Sequence, residues 1–123
     1  MVAFSPDTFE TFLAGDDDTP VVMLNLLQFT ADGGRERYSE YLRIARPILA
    51  RFGASILLGG EGLPVLTTGE ARAWDAVVLV QYPRRSVFKA MINDPAYQQA
   101  FKVGQSAISD IVLQPLTPTD DLM

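Results

Sequence analysis

One amide side chain, Asn25, stands inside the run VVMLNLLQF at residues 21–29, where Gln28 is the one other polar residue. A buried amide has two donor hydrogens and an acceptor oxygen to satisfy, and leaving them unpaired costs free energy. Asn25 therefore either bonds a neighbouring strand or helix, or lines a pocket that holds a small molecule. The residues alone leave both interpretations open.

Phenol, indole and carboxylate groups supply the other candidates for chemistry. Tyr38 and Tyr41 share the apolar side of one predicted helix and Tyr97 lies on the apolar side of another, so each is either a core residue or a pocket residue. Trp74 and Asp75 open a predicted strand, where the indole either packs or contacts substrate and the carboxylate either caps the strand or transfers protons. The predicted catalytic residues are Asp75 and Tyr97. The predicted substrate-binding residues are Asn25, Tyr38, Tyr41 and Trp74.

The residue types that the chain lacks exclude several kinds of chemistry. The 123 residues include neither His nor Cys. This removes the commonest general base, the usual transition-metal and haem ligands, thiolate nucleophiles and disulfides. We therefore expect no metal and no cofactor, and we expect any proton transfer to fall to Asp, Glu, Tyr or Lys.

Charge and hydropathy indicate where the protein works and what it binds. The net charge is −5 and no basic stripe is present, so we expect no nucleic-acid partner. No apolar run is long enough to cross a membrane, so we expect no membrane association. The first residues, MVAFSPDTFE, lack the pattern of a signal peptide, and with the absence of Cys this favours a cytoplasmic protein.

Periodicity and end signals predict the elements. Ser5-Pro6-Asp7 begins a short helix that Gly15 ends. Apolar residues from Tyr38 to Phe52 repeat at helical spacing and predict a helix over about 35–52, with a kink at Pro47. The segment GEGL at 60–63 is not followed by a helix, so it predicts a bulge or loop and not a phosphate site. Four strands are predicted, over 21–29, 54–60, 74–82 and 110–116, and the second is expected to continue after the bulge over 63–68. Two further helices are predicted, one over 84–94 and one after Asp94-Pro95.

The order of these elements predicts an α+β fold. After the leading helix the order is β-α-β-β-α-β, the ferredoxin-like arrangement, with an antiparallel sheet in the order 4-1-3-2. We divide the chain into an N-terminal helix with an acidic loop (1–19), the ferredoxin-like domain (20–116) and a tail (117–123). Both faces of the two central strands are apolar although two helices cover only one face, so we expect a homodimer that pairs through the other face.

Four segments resemble a known family. VVMLNLLQF, YSEYL, WDAVVLVQYP and MINDPAYQQAF are similar to the family of the domain of unknown function 1330, over roughly residues 20–116. The resemblance implies the dimeric α/β-barrel superfamily, in which two ferredoxin-like sheets pack face to face. Relatives in that superfamily include cofactor-free monooxygenases, muconolactone-isomerase-like enzymes, haem-dependent chlorite dismutases and stress-response proteins. Family members often carry an Arg where this chain has Gly104, so an anion contact that such an Arg would make is in doubt here.

Three hypotheses about function remain open at this point. The first is a cofactor-independent enzyme, monooxygenase- or isomerase-like, that acts on a small and mostly apolar substrate. The second is a non-catalytic binding protein for a small metabolite, and the third is a stress-related structural dimer without a pocket. A cavity of at least about 300 Å³ lined by the polar candidates would favour the first two.

Overall fold

A computed structural model of the chain describes residues 4–69 and 72–123. These residues form four helices and four strands, followed by one turn of 3-10 helix at Asp120–Leu122. In chain order they are α1 (Pro6–Ala14), β1 (Val21–Phe29), α2 (Gly34–Arg51), β2 (Ser55–Glu61), β3 (Ala76–Tyr82), α3 (Arg85–Ile92), α4 (Pro95–Ala107) and β4 (Ile108–Leu116).

The four strands form one antiparallel sheet in the order β2-β3-β1-β4. This is the predicted order read from the other edge, so the ferredoxin-like prediction is confirmed. In the central strand, Asn25 lies opposite Val78 of β3 and Leu113 of β4. Since cross-strand partners share a face, this register decides which side chains meet the helices.

The helices cover one face of the sheet and leave the other open in the single chain. Met23, Leu27, Val78 and Val80 are buried on the covered face with side chains of α2, α3 and α4. Apart from Val22, which is buried, the open face carries apolar side chains that remain half-buried or exposed: Leu24, Leu26, Val77, Leu79, Val112 and Leu116. The apolar pattern on both faces, which the sequence predicts, is therefore present in the fold.

The second strand is shorter than the sequence predicts. β2 ends at Glu61 and residues 62–69 form no strand, so the predicted continuation over 63–68 is wrong. The Gly62 amide donates to the Asp75 carbonyl at 2.8 Å and closes the ladder there, and Pro64 just beyond has no amide hydrogen to extend it. The irregular register lies earlier than expected, between Ile56 and Leu58.

Asp94 starts α4 as the sequence predicts. Its carboxylate accepts from the backbone amides of Ala96 at 3.0 Å and Tyr97 at 3.2 Å, and it pairs with Arg51 of α2 at 2.9 Å. The Arg51 hydrogen bond is the largest of the causes that hold the pKa of Asp94 below its usual value. The cap and the ion pair together fix the start of α4 against the end of α2, which positions Tyr97.

In the part of the chain that the structure describes, no helix is both long enough and apolar enough to cross a membrane.

Candidate functional site

All four tyrosines of the chain come together between the sheet and the helices. The ring centroids of Tyr38 and Tyr41 on α2 lie 5.2 Å apart, and Tyr41 contacts Tyr97 of α4 edge to face at 6.3 Å. The hydroxyls of Tyr41 and Tyr97 lie 2.7 Å apart, within hydrogen-bond distance. Tyr82 at the end of β3 is buried on the same side of the sheet. The structure thus unites the three tyrosines that the sequence selects and adds a fourth.

Burial keeps these phenols protonated. Loss of solvent raises the pKa of Tyr41 well above its usual value near 10, and the nearness of Tyr97 and Tyr38 raises it further. Burial is likewise the main cause that raises the pKa of Tyr38, Tyr82 and Tyr97. At neutral pH each hydroxyl is therefore a neutral group that donates or accepts a hydrogen bond. None of the four is set up to act as an anionic general base.

Gly104 provides the close approach between α4 and α2. A Cβ atom at this buried position would lie 2.9 Å from two atoms of the Tyr41 ring, closer than carbon atoms pack without strain. The missing side chain lets the Tyr41 ring lie directly on α4, beside the Tyr97 hydroxyl. A side chain at residue 104 therefore does not fit while the Tyr41 ring keeps this position.

Asn25 lies on the helix-covered face, since its neighbours Met23 and Leu27 and its partner Val78 are all buried there. Its amide nitrogen donates to the carbonyl oxygens of Met23 and Val78, each at 3.2 Å. Its own strand and the neighbouring strand β3 thus supply the partners of this nitrogen. Among the described residues, no donor reaches the Asn25 amide oxygen. A ligand-binding role for Asn25 stays a prediction.

Trp74 and Asp75 lie away from the tyrosine cluster, at the start of β3. The Asp75 carboxylate accepts from the Phe29 amide at 2.8 Å and so joins the end of β1 to the start of β3. Trp74 lies under the Arg72 guanidinium, 4.4 Å from the ring centroid. Within residues 4–69 and 72–123, no contact connects either side chain with a tyrosine. Their predicted catalytic and substrate-binding roles therefore stay predictions that the geometry does not support.

A cleft of about 320 Å³ opens between α2 and the inward side of β2 and β3. Tyr38 and Leu42 line it from the helix, Ala76 and Val78 line it from β3, and Phe29 lines it from the end of β1. Small-molecule sites in proteins begin at about this volume and share this mostly apolar lining. Tyr38 connects the cleft with the tyrosine cluster, and Val78 connects it with Asn25.

Gly59 holds this cleft open. Gly59 of β2 pairs with Val78 of β3. Because cross-strand partners share a face, a side chain at residue 59 would point toward the helices, as that of Val78 does. A Cβ atom built there meets no other atom within 4 Å. Gly59 lies within a strand, as the sequence predicts, and its missing side chain leaves space that a larger residue would fill.

Charged groups lie along the rim of the cleft. Arg35 at the start of α2 forms an ion pair with Glu61 at the end of β2. Ser39 and Arg46 of α2 also line the cleft. Among the described residues, no group of three or more acidic side chains is placed to hold a metal ion.

Sequence reasoning missed Gly59, Leu42 and Arg46 as site residues. The stripe Arg35, Ser39, Leu42 and Arg46 repeats at three- and four-residue steps on α2, next to the buried stripe. That spacing indicates a helix side at the border of the core, where a cleft can form. The inward direction of Gly59 depends on the register between β2 and β3, which the sequence does not specify.

Fold and cleft together define a class: a ferredoxin-like α+β protein with a small cleft between the sheet and its longest helix. The chain belongs to the family of the domain of unknown function DUF1330, whose model matches residues 27–113. It is similar to the RPA0582 protein of unknown function from Rhodopseudomonas palustris, with 30% identity over 97% of both chains and a TM-score of 0.84.

More distant solved structures share the fold. A dimeric ferredoxin-like protein of unknown function from Jannaschia sp. CCS1 is 14% identical, with a TM-score of 0.63 over 80% of this chain and 99% of that one. The hydroxynitrile lyase of Passiflora edulis is 9% identical, with a TM-score of 0.66 over 85% of this chain and 97% of that one. Among curated proteins, none matches this chain.

Proposed function

We propose that this protein is a homodimeric small-molecule-binding protein whose ligand occupies the cleft between α2 and the β2–β3 edge of the sheet. The observation that carries the proposal is the cleft itself, about 320 Å³ in volume, with an apolar floor and the Tyr38 phenol in its wall. Tyr38 is kept neutral by burial, so it is suited to bond a carbonyl, hydroxyl or carboxylate oxygen of a bound molecule.

The homodimer is part of this proposal. The open face of the sheet exposes apolar side chains, and leaving such a face in water costs about 25 cal/mol per Å² of apolar area. A second copy of the same face is its simplest cover, and the similar protein from Jannaschia sp. CCS1 is dimeric. The pairing leaves the cleft free, because the cleft lies on the opposite, helix-covered side of the sheet.

A cofactor-independent enzyme is the second candidate, and one observation favours it. The Tyr41 and Tyr97 hydroxyls form a hydrogen-bonded pair directly behind Tyr38. Neutral phenols of this kind can donate a hydrogen bond, or a proton, to a substrate oxygen that develops negative charge. Tyr97 would then hold or deliver a proton as the sequence predicts, while Asp75 would need a substrate that reaches the start of β3.

Filling the cleft tests the proposed function. In Gly59→Leu the new side chain points into open space, so we expect the fold and the dimer to remain. Screening of small aromatic and aliphatic compounds by ¹⁵N NMR should shift the signals of Tyr38, Leu42 and Val78 in the wild type and leave them unchanged in Gly59→Leu. Equal binding by the two proteins, or no binding at these residues by the wild type, would contradict the proposal.

Catalysis is tested separately with any compound that binds. Conversion that Tyr38→Phe abolishes without weakening binding favours the enzyme. Binding without conversion favours the non-catalytic protein. If the cleft binds nothing, the structural dimer remains.

A further inference from the structure

Arg46 differs from every other arginine of the chain. The sequence has eight arginines, and seven of them have a partner in the structure. Six form ion pairs with Asp or Glu: Arg35, Arg37, Arg43, Arg51, Arg72 and Arg84. Arg85 donates to the Phe12 carbonyl and lies over the Phe12 ring. Within residues 4–69 and 72–123, Arg46 has no ion pair, hydrogen bond or aromatic contact.

This free guanidinium lies at one end of the cleft. Arg35 is the first residue of α2 to line the cleft and Arg46 is the last. Arg46 also borders an adjoining hollow of about 250 Å³ between the end of α2 and the start of β2. Arg46 lies eight positions after Tyr38, a rise of about 12 Å along the helix. The two groups can therefore contact opposite ends of one elongated small molecule.

The charges of the cleft leave one positive charge uncompensated. Its charged lining residues are Arg35, Arg46 and Glu61, and Arg35 is neutralised by Glu61. The remaining charge belongs to Arg46, in a protein whose net charge is −5. A locally positive cleft in an acidic protein selects for an anion, and a guanidinium binds a carboxylate with two parallel hydrogen bonds.

From these observations we infer that the ligand is an amphipathic monocarboxylate, with its carboxylate on Arg46 and its apolar body along Leu42, Val78 and Ala76. This inference rests on the proposed function and names the class of ligand. One uncompensated guanidinium matches one negative charge, and the neutral Arg35–Glu61 pair at the far end of the cleft provides no free positive charge for a second. An apolar chain or ring fits between them, with a polar substituent, where present, bonded to Tyr38.

Matched pairs of acids and amides test the inference. The probes are phenylacetate, 4-phenylbutyrate and 6-phenylhexanoate with their primary amides, which differ in charge while keeping nearly the same shape. Dissociation constants are measured by ¹⁵N NMR titration at neutral pH for the wild type, Arg46→Gln and Arg46→Lys. The matched control is Arg43→Gln, which removes an arginine from the same helix that is paired with Glu40 and does not line the cleft.

We expect the wild type to bind at least one acid about two- to fivefold more tightly than its amide, because Arg46 is exposed and an exposed ion pair has a modest effect. Arg46→Gln should remove this preference and leave amide binding unchanged. Arg46→Lys should keep part of it, because the charge remains without the planar fork. Arg43→Gln should behave as the wild type, and the melting temperature of each variant shows whether it is folded.

Other results overturn the inference in distinguishable ways. Acids and amides that bind the wild-type cleft equally well would refute the anion preference and leave the cleft as a binding site. A preference that survives in Arg46→Gln, or that Arg43→Gln also removes, would refute the role of Arg46. If no acid and no amide shifts the cleft signals, the proposed function fails and the inference fails with it.

Discussion

The hydroxyl oxygens of Tyr41 and Tyr97 lie 2.7 Å apart, and this contact joins α2 to α4 behind the candidate cleft. Tyr41 is buried and Tyr97 is partly buried, and each hydroxyl has the other as its hydrogen-bond partner. Asp94 fixes the start of α4, and Gly104 lets that helix approach the Tyr41 ring. The pair is thus held in place from both ends of α4.

The hydroxyls of this pair should stabilise the protein jointly. The losses of unfolding free energy in the two single variants should therefore add up to more than the loss in the double variant. Tyr97→Phe leaves the Tyr41 hydroxyl without its partner, and the net value of such a hydrogen bond is about 1 kcal/mol. Urea unfolding of Tyr41→Phe, Tyr97→Phe and the double variant measures the coupling between them. Free energies that simply add, with no coupling, would show that the contact does not contribute to stability.

Stability should fall at alkaline pH because of the tyrosine cluster. Burial raises the pKa of each tyrosine above the value near 10 that it has in the unfolded chain. Above pH 10 the unfolded chain therefore loses protons that the folded chain keeps, and this linkage favours unfolding. The urea midpoint should be steady from pH 8 to pH 9 and decline from pH 10 upward. A midpoint that stays constant to pH 12 would contradict the burial of the phenols.

A side chain at Gly104 should disturb the contact between α2 and α4. Gly104→Val inserts atoms where a Cβ would already lie 2.9 Å from the Tyr41 ring, and overpacking of this kind typically costs about 1–3 kcal/mol. Gly59→Ala is the matched control, because its new Cβ meets no atom within 4 Å. Thermal unfolding should show a lower midpoint for Gly104→Val and little change for Gly59→Ala. Equal midpoints would mean that α4 shifts freely.

A charge on the open face of the sheet should prevent dimer formation. Leu79 of β3 lies opposite Leu24 of β1 near the middle of that face. Leu79→Asp would place a carboxylate in the proposed apolar interface, whereas Ala50→Asp adds the same charge on the exposed side of α2 as a control. Light scattering should give the mass of two chains for the wild type and Ala50→Asp, and of one chain for Leu79→Asp. A wild type with the mass of one chain would refute the homodimer.

The fold can be predicted from the sequence because hydrophobic periodicity determines where most of its strands and helices lie. Alternation and helical spacing locate the strands and helices, and the element order then allows the ferredoxin-like sheet. The failure at 63–68 has a local cause, since LPVLTT has strand-like composition but Gly62 and Pro64 end the ladder before it. Composition does not report where a backbone hydrogen bond closes a strand pair.

The candidate site is only partly predictable. The tyrosines are found because they share the buried sides of their helices, and the apolar run around Asn25 marks the central strand. Asn25 itself bonds backbone carbonyls that no sequence pattern indicates. The cleft depends on the register that turns Gly59 inward. Its charge depends on Arg46, which has no partner among the residues that the structure describes. Both properties arise from pairings across the fold and not from local sequence.

Mass spectrometry of small molecules released from natively purified protein shows whether the cleft holds a ligand. The wild type and Gly59→Leu are purified in parallel as dimers and denatured, and the released compounds are compared. The account predicts a small organic compound, bound at up to one molecule per chain, that the wild type releases and Gly59→Leu does not. A wild type that releases nothing beyond what Gly59→Leu releases would contradict the claim that this cleft is a binding site.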